Sequence, residues 1–554
     1  MFKRRREQRS LFSTTTLLSD DKRSRLERSW AGVFRGKALP LIDEELFRHL
    51  FHDDNGRPNK PVQTVVGLLL IKDMFDLTDM EILERLDFDL QVQMALGLDV
   101  DEAHCCQKTL HNFRAKLMQS EADRLVFVSL TDRIIEALGV NVGKQRLDST
   151  HVLSNFARLT RLGLFCETIR LFLRELNRDF PKKFNGVPEG LRRRYLKEDG
   201  VPTRFGDASS SDCRRRLPVT ARDVWRLVDR FAGDEGVRSL EAYGLLKRLL
   251  EDQCQIVKTP VTGDDGDEDS SEPGVPVVVK EPKQVESSSL QTPHDPDATY
   301  SGHKGKGYEV QVAETHGNEE LPEIITYVAV TDSCESDERA LLSVVEDLAT
   351  RNLQPEELVA DTTYGSIANV LKCEAVDMEL LAPVPGGDGD TSSQDEVPKR
   401  SVVVDPHGKI QTLCPADREP VREERNPERG TIRSYFDATT CAHCVMRHEC
   451  PATTLRDGTR VFHTTEEKSH IDQRRFYQGT EEFKERYAAR AGIEATNSEL
   501  KRRHGLGKLR VRRRPRVRLA AYLKAAACNV KRMVNHFADL LNEKSESAQL
   551  APAR

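Results

Sequence analysis

Five short segments of strand character, set between helical stretches, constrain this chain more than any other feature of its sequence. They read KQRLDSTHV around Asp148, GYEVQVAET from Gly307, EIITYVAVT from Glu323, ELVADTTYG with its strand ending at Asp361, and ELLAPV from Glu379 to Val384. A helical pattern from about Asp337 to Thr350 lies between the third and the fourth, and strands that alternate with helices fit a mixed α/β sheet. The sheet is interrupted. Residues 155–258 return to long helical patterns such as LFCETIRLFLREL, and residues 259–296 are rich in Pro, Ser and acid with almost no aromatics, the composition of a disordered linker.

Helices flank this region on both sides. Residues 1–30 are basic and Ser/Thr-rich without apolar periodicity and read as a mobile tail. VQTVVGLLLIKDMF reads as one helix, Thr78 with Glu81 as a capping box that opens the next, and TLHNFRAK and Glu121 to Leu138 as two more. Together they outline an all-α N-terminal domain over residues 31–140. A Gly/Asp/Ser-rich linker over 386–397 precedes a Cys-bearing insert at 398–455, and from Glu481 the chain is helical to about Asn542. The catalytic unit expected from this layout spans 141–385 and 456–545, with a helical insert at 155–258. A chain of 554 residues has room for about three to four folded units. Its longest apolar stretch, near Val65 to Ile71, falls far short of the roughly 20 residues a membrane helix needs, and the N-terminus carries no secretory pattern, so a cytoplasmic, nucleoid-associated location is expected.

The formal net charge of -6 averages over segments of opposite sign. Lys501 to Arg518 (KRRHGLGKLRVRRRPRVR) holds ten Lys/Arg and no acid, while Asp264 to Glu272 is nearly all acid or Ser. A duplex carries about one negative charge per 1.7 Å, so the basic run is suited to a salt-sensitive DNA clamp; a solubilising charge run is the alternative. Base reading falls to the N-terminal domain, on the TLHNFRAK helix.

Transfer of a phosphodiester at neutral pH needs the attacking oxygen activated and the leaving oxygen stabilised, which two divalent ions roughly 4 Å apart accomplish. Such ions take carboxylate oxygens, and Mg²⁺ needs few of them because it retains waters and substrate oxygens. Asp148, Asp361 and Glu494 are the candidates among 90 acids. Tyr487, Arg490, Glu494 and Lys501 follow one another at spacings of three, four and seven residues, within about 60° on one helical stripe. A phenol, a guanidinium, a carboxylate and an ammonium are thereby offered to a single partner. A salt-bridged, solvated helix face has the same look when it occurs alone.

It does not occur alone. The pattern Y-x2-R-x3-E-x6-K, present from Tyr487 to Lys501, is similar to the signature helix of DDE transposases of bacterial insertion sequences. RLDSTHV and ELVADTTYGS resemble that family's first and second acid-bearing strands, and DATYSGHKGKGYEVQV resembles the stretch between them. The resemblance runs from about Pro61 to His536. It implies an RNase H-like core with an all-α N-terminal domain and basic C-terminal helices, Mg²⁺ (or Mn²⁺) held by Asp148, Asp361 and Glu494, and contacts from Tyr487, Arg490 and Lys501 to the element's terminal DNA. The chain departs from the usual pattern in the long separation of Asp148 from Asp361. Arg502, Arg503, Lys508, Arg510, Arg512, Arg513 and Arg514 complete the expected DNA contacts. The implied partner is double-stranded DNA, both element ends and target, bound by a homodimer or larger assembly, and no membrane is involved.

Cys441, Cys444 and Cys450 stand as C-x2-C-x5-C with Cys414 upstream, so four thiolates could close a tetrahedral Zn²⁺ site, although His443 and His448 offer competing ligands and reduced, unliganded thiols are the alternative. Cys105 and Cys106 read as packing residues. Two other functions stay open: a metal-dependent nuclease without strand transfer, and a transposase-derived DNA-binding protein without catalysis.

Overall fold

The computed structural model describes residues 1–5, 14–52, 58–156, 159–196, 210–261, 275–385, 401–404, 410–414, 416, 418–448, 450 and 452–550. The five expected strands form one sheet: β1 (Lys144–Val152), β2 (Gly305–Thr315), β3 (Ile325–Asp332), β4 (Glu357–Ala360) and β5 (Glu379–Leu381). Their order is β3-β2-β1-β4-β5, antiparallel between β1, β2 and β3 and parallel from β1 through β4 to β5. A short loop suffices to reverse the chain between β2 and β3, whereas β4 and β5 each need a helical crossover. Those helices are Asp337–Thr350 and Ile367–Glu374. Such a sheet, half antiparallel meander and half parallel crossover, is an RNase H-like core.

Both faces of the sheet are covered, which is why β2 is buried from Gly307 to Thr315. Three further helices brace the sheet and the candidate acids on it: α1 (Val62–Met74), α2 (Ala491–Arg503) and α3 (Arg514–Leu550). Helix α2 lies on β1 and β2, while α3 packs against β3 on one side and against α1 and the helix Asp123–Leu138 on the other. Apolar on nearly all sides, α1 is correspondingly buried, and its one acid, Asp73, is paired with Lys524 of α3 at 3.2 Å. The N-terminal helices therefore share one apolar core with the sheet, running from Phe34, Leu68 and Leu130 to Val310, Leu358 and Val530. The capping box at Thr78 and Glu81 is present, with reciprocal bonds of 3.2 and 2.6 Å. Among the described residues, no helix is long and apolar enough to cross a membrane.

Residues between β1 and β2 build a second core of their own, with Phe165 and Phe172 of the helix Arg161–Asp179 against Leu227 and Leu246 from two further helices. Here the sequence reading needs correction. The stretch read as a disordered linker is ordered from Val275: the β-branched run Val275–Val279 pairs with the strand Cys254–Val261, and Leu290 and Asp295 are fully buried. Asp295 is satisfied by the Tyr308 hydroxyl at 2.7 Å, by Ser154 and by the Arg513 backbone N–H at 3.0 Å. Averaging composition over the whole stretch concealed a strand and a buried carboxylate. The acidic run itself and the expected 386–397 linker lie outside the described residues. The N-terminal tail is also partly fixed: Phe2 meets Phe51 at 6.0 Å, Arg5 donates to the Gly97 carbonyl at 2.9 Å, and Asp20–Arg28 is helical. Cys105 is buried as expected of a packing residue, but Cys106 is exposed.

Candidate active site

Parallel pairing of β1 with β4 aligns Leu147 with Ala360, so the next residues, Asp148 and Asp361, stand on neighbouring strands about 4.8 Å apart in the pairing direction. Two carboxylates that come from distant parts of the chain are thus brought together by register alone. Asp361 directly follows the last residue of β4 and caps the following turn, accepting from the Thr363 N–H at 2.8 Å. Asp148 is mostly buried. Its Oδ2 accepts from Asn497 at 3.2 Å, and its Oδ1 lies 3.8 Å from Arg490. Burial pushes its carboxyl up to about 6, the nearby Asp361 adds to the rise, and Arg490 opposes it.

The helix bearing Glu494 is broken where a continuous stripe was expected. A helix over Glu481–Tyr487, a 3-10 turn over Ala488–Arg490 and then α2 carry the four signature residues. They nevertheless meet. Tyr487, stacked on Phe483 with centroids 5.4 Å apart, lies close enough to Asp361 and Asp148 for both to add to the rise of its phenol pKa, although burial is the larger cause. Arg490 spans Asp148 and Glu494, donating to Glu494 at 3.0 Å. Lys501 is half-buried and feels Glu309 and Asp148, yet burial lowers its pKa. Glu494 is 64% exposed and turned toward Arg490.

A buried network fixes α2 to the sheet. Glu314, fully buried at a register irregularity in β2, accepts from Arg146 at 2.8 Å, from Thr496 at 2.6 Å and from Arg532 at 3.0 Å. Arg146 continues to the Ala489 carbonyl at 3.0 Å. That path passes close to Gly492: a Cβ there would lie 1.8 Å from an Arg146 nitrogen, so a larger residue would displace the guanidinium. Sequence reasoning missed Asn497, Arg146, Glu314 and Arg532. Asn497, three residues after Glu494 on the same helix, had a signal in its spacing; the others pair across the chain and had none. It also missed Lys304, which bonds Glu309 at 2.6 Å and Ser149 at 3.2 Å beside Asp148, although its segment had been singled out.

Oxygen-only donors and two crowded acids fit a hard divalent cation such as Mg²⁺. The three acids do not close a cage by themselves: among the described residues, the group whose ligand atoms all lie within 4.8 Å of one another is Glu499, His504 and Cys528.

The basic run divides into two sets. Arg510 is held by Asp76 at 3.0 Å, Arg512 by the Asn155 carbonyl, Arg513 by Glu241 and Arg514 by Asp332, so these four tie the C-terminal segment to the rest of the fold. Arg502, Arg503 and Lys508 are exposed. Cys414, Cys441, Cys444 and Cys450 line one cavity of about 220 Å³. Burial raises the Cys441 pKa and the other three thiols add to it, which places all four in one cluster. His443 instead turns to the Thr439 carbonyl at 3.0 Å, and neither it nor His448 lines the cavity.

A family model described as a transposase DDE domain matches residues 413–534, which include Glu494 but neither Asp148 nor Asp361. A second, described as a transposase domain (DUF772), matches residues 28–116. No curated protein and no solved structure matches the chain.

Proposed function

Because the chain belongs to the DDE transposases of insertion-sequence type, we propose that it cuts DNA at the ends of its element and joins the freed 3′-hydroxyl to target DNA. The observation that carries this reading is the register that sets Asp148 beside Asp361 with the Glu494 helix docked across them. Asp148, Asp361 and Glu494 would hold Mg²⁺ or Mn²⁺. A bound ion pair supplies activation of the attacking oxygen and stabilisation of the departing one. The chain's own residues prepare the site. Asp148 gives up the proton that burial favours, Arg490 draws the Asp148 and Glu494 carboxylates toward each other, and Asn497 orients Asp148. Tyr487, Arg490 and Lys501 face the DNA end, and Arg502, Arg503 and Lys508 extend its phosphate track. DNA is bound by a homodimer or larger assembly. The four-Cys cluster holds a structural Zn²⁺ beside the catalytic unit. Glu494→Gln tests the assignment: with Mg²⁺ present it should abolish cleavage and strand transfer of an end-bearing duplex while gel-shift affinity stays within about twofold. Cleavage retained in the variant would refute the role of Glu494, and cleavage without joining by the native chain would reduce it to a nuclease.

A further inference from the structure

Below the candidate active site, where α2 ends against α3, three metal-ligating side chains meet in a place that the proposed reaction does not use. Glu499 belongs to the last turn of α2, His504 follows that helix, and Cys528 projects from α3; His504 and Cys528 are fully buried. Their donor atoms lie within 4.8 Å of one another.

The His504 ring is held in one orientation. Its Nδ1 meets the Asp73 carbonyl at 2.9 Å, and since a carbonyl can only accept, Nδ1 carries the hydrogen. In the neutral ring Nε2 then presents its lone pair. Nε2 is buried and has no hydrogen-bond partner, a costly condition for a polar atom inside a protein. A carbonyl behind Nδ1 is also the arrangement that orients metal-binding histidines. Glu499 is engaged from two sides: Arg532 takes Oε2 through two nitrogens, at 2.9 and 3.2 Å, and the Cys528 thiol meets the same carboxylate. The nearby Lys524 ammonium is spent on the His504 backbone carbonyl and Asp73, away from the ring.

We propose that Glu499, His504 and Cys528 form a buried site for a borderline-soft divalent cation of the Zn²⁺ class, separate from the four-Cys cluster and from the catalytic acids. One sulfur, one imidazole nitrogen and one carboxylate oxygen select Zn²⁺ or Co²⁺ over Mg²⁺, and three protein ligands leave one coordination position open. On binding, the Cys528 thiol releases its proton to solvent and the thiolate bonds the ion. The ion would clamp the C-terminal end of the Glu494 helix to α3.

Co²⁺ provides the test, because a thiolate ligand gives a sulfur-to-metal charge-transfer band that carboxylate sites such as Asp148 with Asp361 cannot give. In the full chain with Cys414, Cys441, Cys444 and Cys450 all changed to Ser, Co²⁺ titration should produce this band with one equivalent bound. Cys528→Ala and His504→Gln should abolish it, and Glu499→Gln should weaken binding at least tenfold, with circular dichroism confirming that each variant folds. In the otherwise unaltered chain, Cys528→Ala should lower the Zn²⁺ content by one equivalent, a reading that does not depend on the quadruple variant folding. No band in the quadruple variant when it is folded, a band that survives Cys528→Ala, or an unchanged Zn²⁺ content would each overturn the proposal.

Discussion

Asp148→Asn isolates the electrostatic cost of the candidate active site. Folding raises the Asp148 carboxyl from 3.8 to about 6, chiefly through burial. At about 1.36 kcal/mol per unit, keeping it ionised in the folded, metal-free chain costs about 3 kcal/mol. A raised carboxyl pKa means that the folded state holds the proton more tightly than the unfolded chain does. The penalty is therefore absent below about pH 4, grows between about pH 4 and 6, and is complete above that. Asparagine has no charge to desolvate and keeps an oxygen for the Asn497 amide, which now donates to Asp148 at 3.2 Å. In EDTA the variant should be more stable than the native chain by about 2 to 3 kcal/mol at pH 7.5 and by only about 1 kcal/mol at pH 4.5. Parallel urea unfolding at the two pH values measures this. Replacing EDTA with Mg²⁺ should stabilise the native chain and leave the variant unmoved, and the variant should not cut DNA. A gain that is independent of pH, or a variant that is less stable at pH 7.5, would refute the reasoning.

Gly492→Ala should lower cleavage at least tenfold, because the new methyl group meets the Arg146 guanidinium that ties the Glu494 helix to β1; Gly244→Ala, with open space around it, is the matched control and should leave cleavage unchanged. Neutralising Arg502, Arg503 and Lys508 together should reduce the slope of log affinity against log salt by about 3 without altering unfolding. Arg513→Ala and Arg514→Ala, which release Glu241 and Asp332, should instead lower the thermal midpoint and leave the salt slope nearly unchanged. Cys444→Ser should remove one equivalent of Zn²⁺ and expose the 398–455 region to protease, a result that limited proteolysis with mass spectrometry would record.

How far the sequence could be read depended on the range of the interaction. Strands announced themselves by apolar alternation and the start of the helix after Thr78 by a local capping box, both decided within a few residues. Glu494 stood out as a candidate for the same reason, since Tyr487, Arg490 and Lys501 recur around it at a countable spacing, although the helix is broken at Ala488–Arg490. The support beneath it was not. Glu314 meets Arg146 and Arg532 across more than 150 residues of chain, and it faces them at a register irregularity that no local pattern encodes. Charge without partners misled in the basic run as well: Arg502 and Arg513 look alike in sequence, yet one is exposed and the other is bonded to Glu241. The candidate acids are held by residues outside the signature, and those supports are set by how distant segments pair. Register places Asp148 beside Asp361, Gly492 leaves room for Arg146, and a buried Glu314 fixes the helix that carries Glu494 and the Asn497 that bonds Asp148.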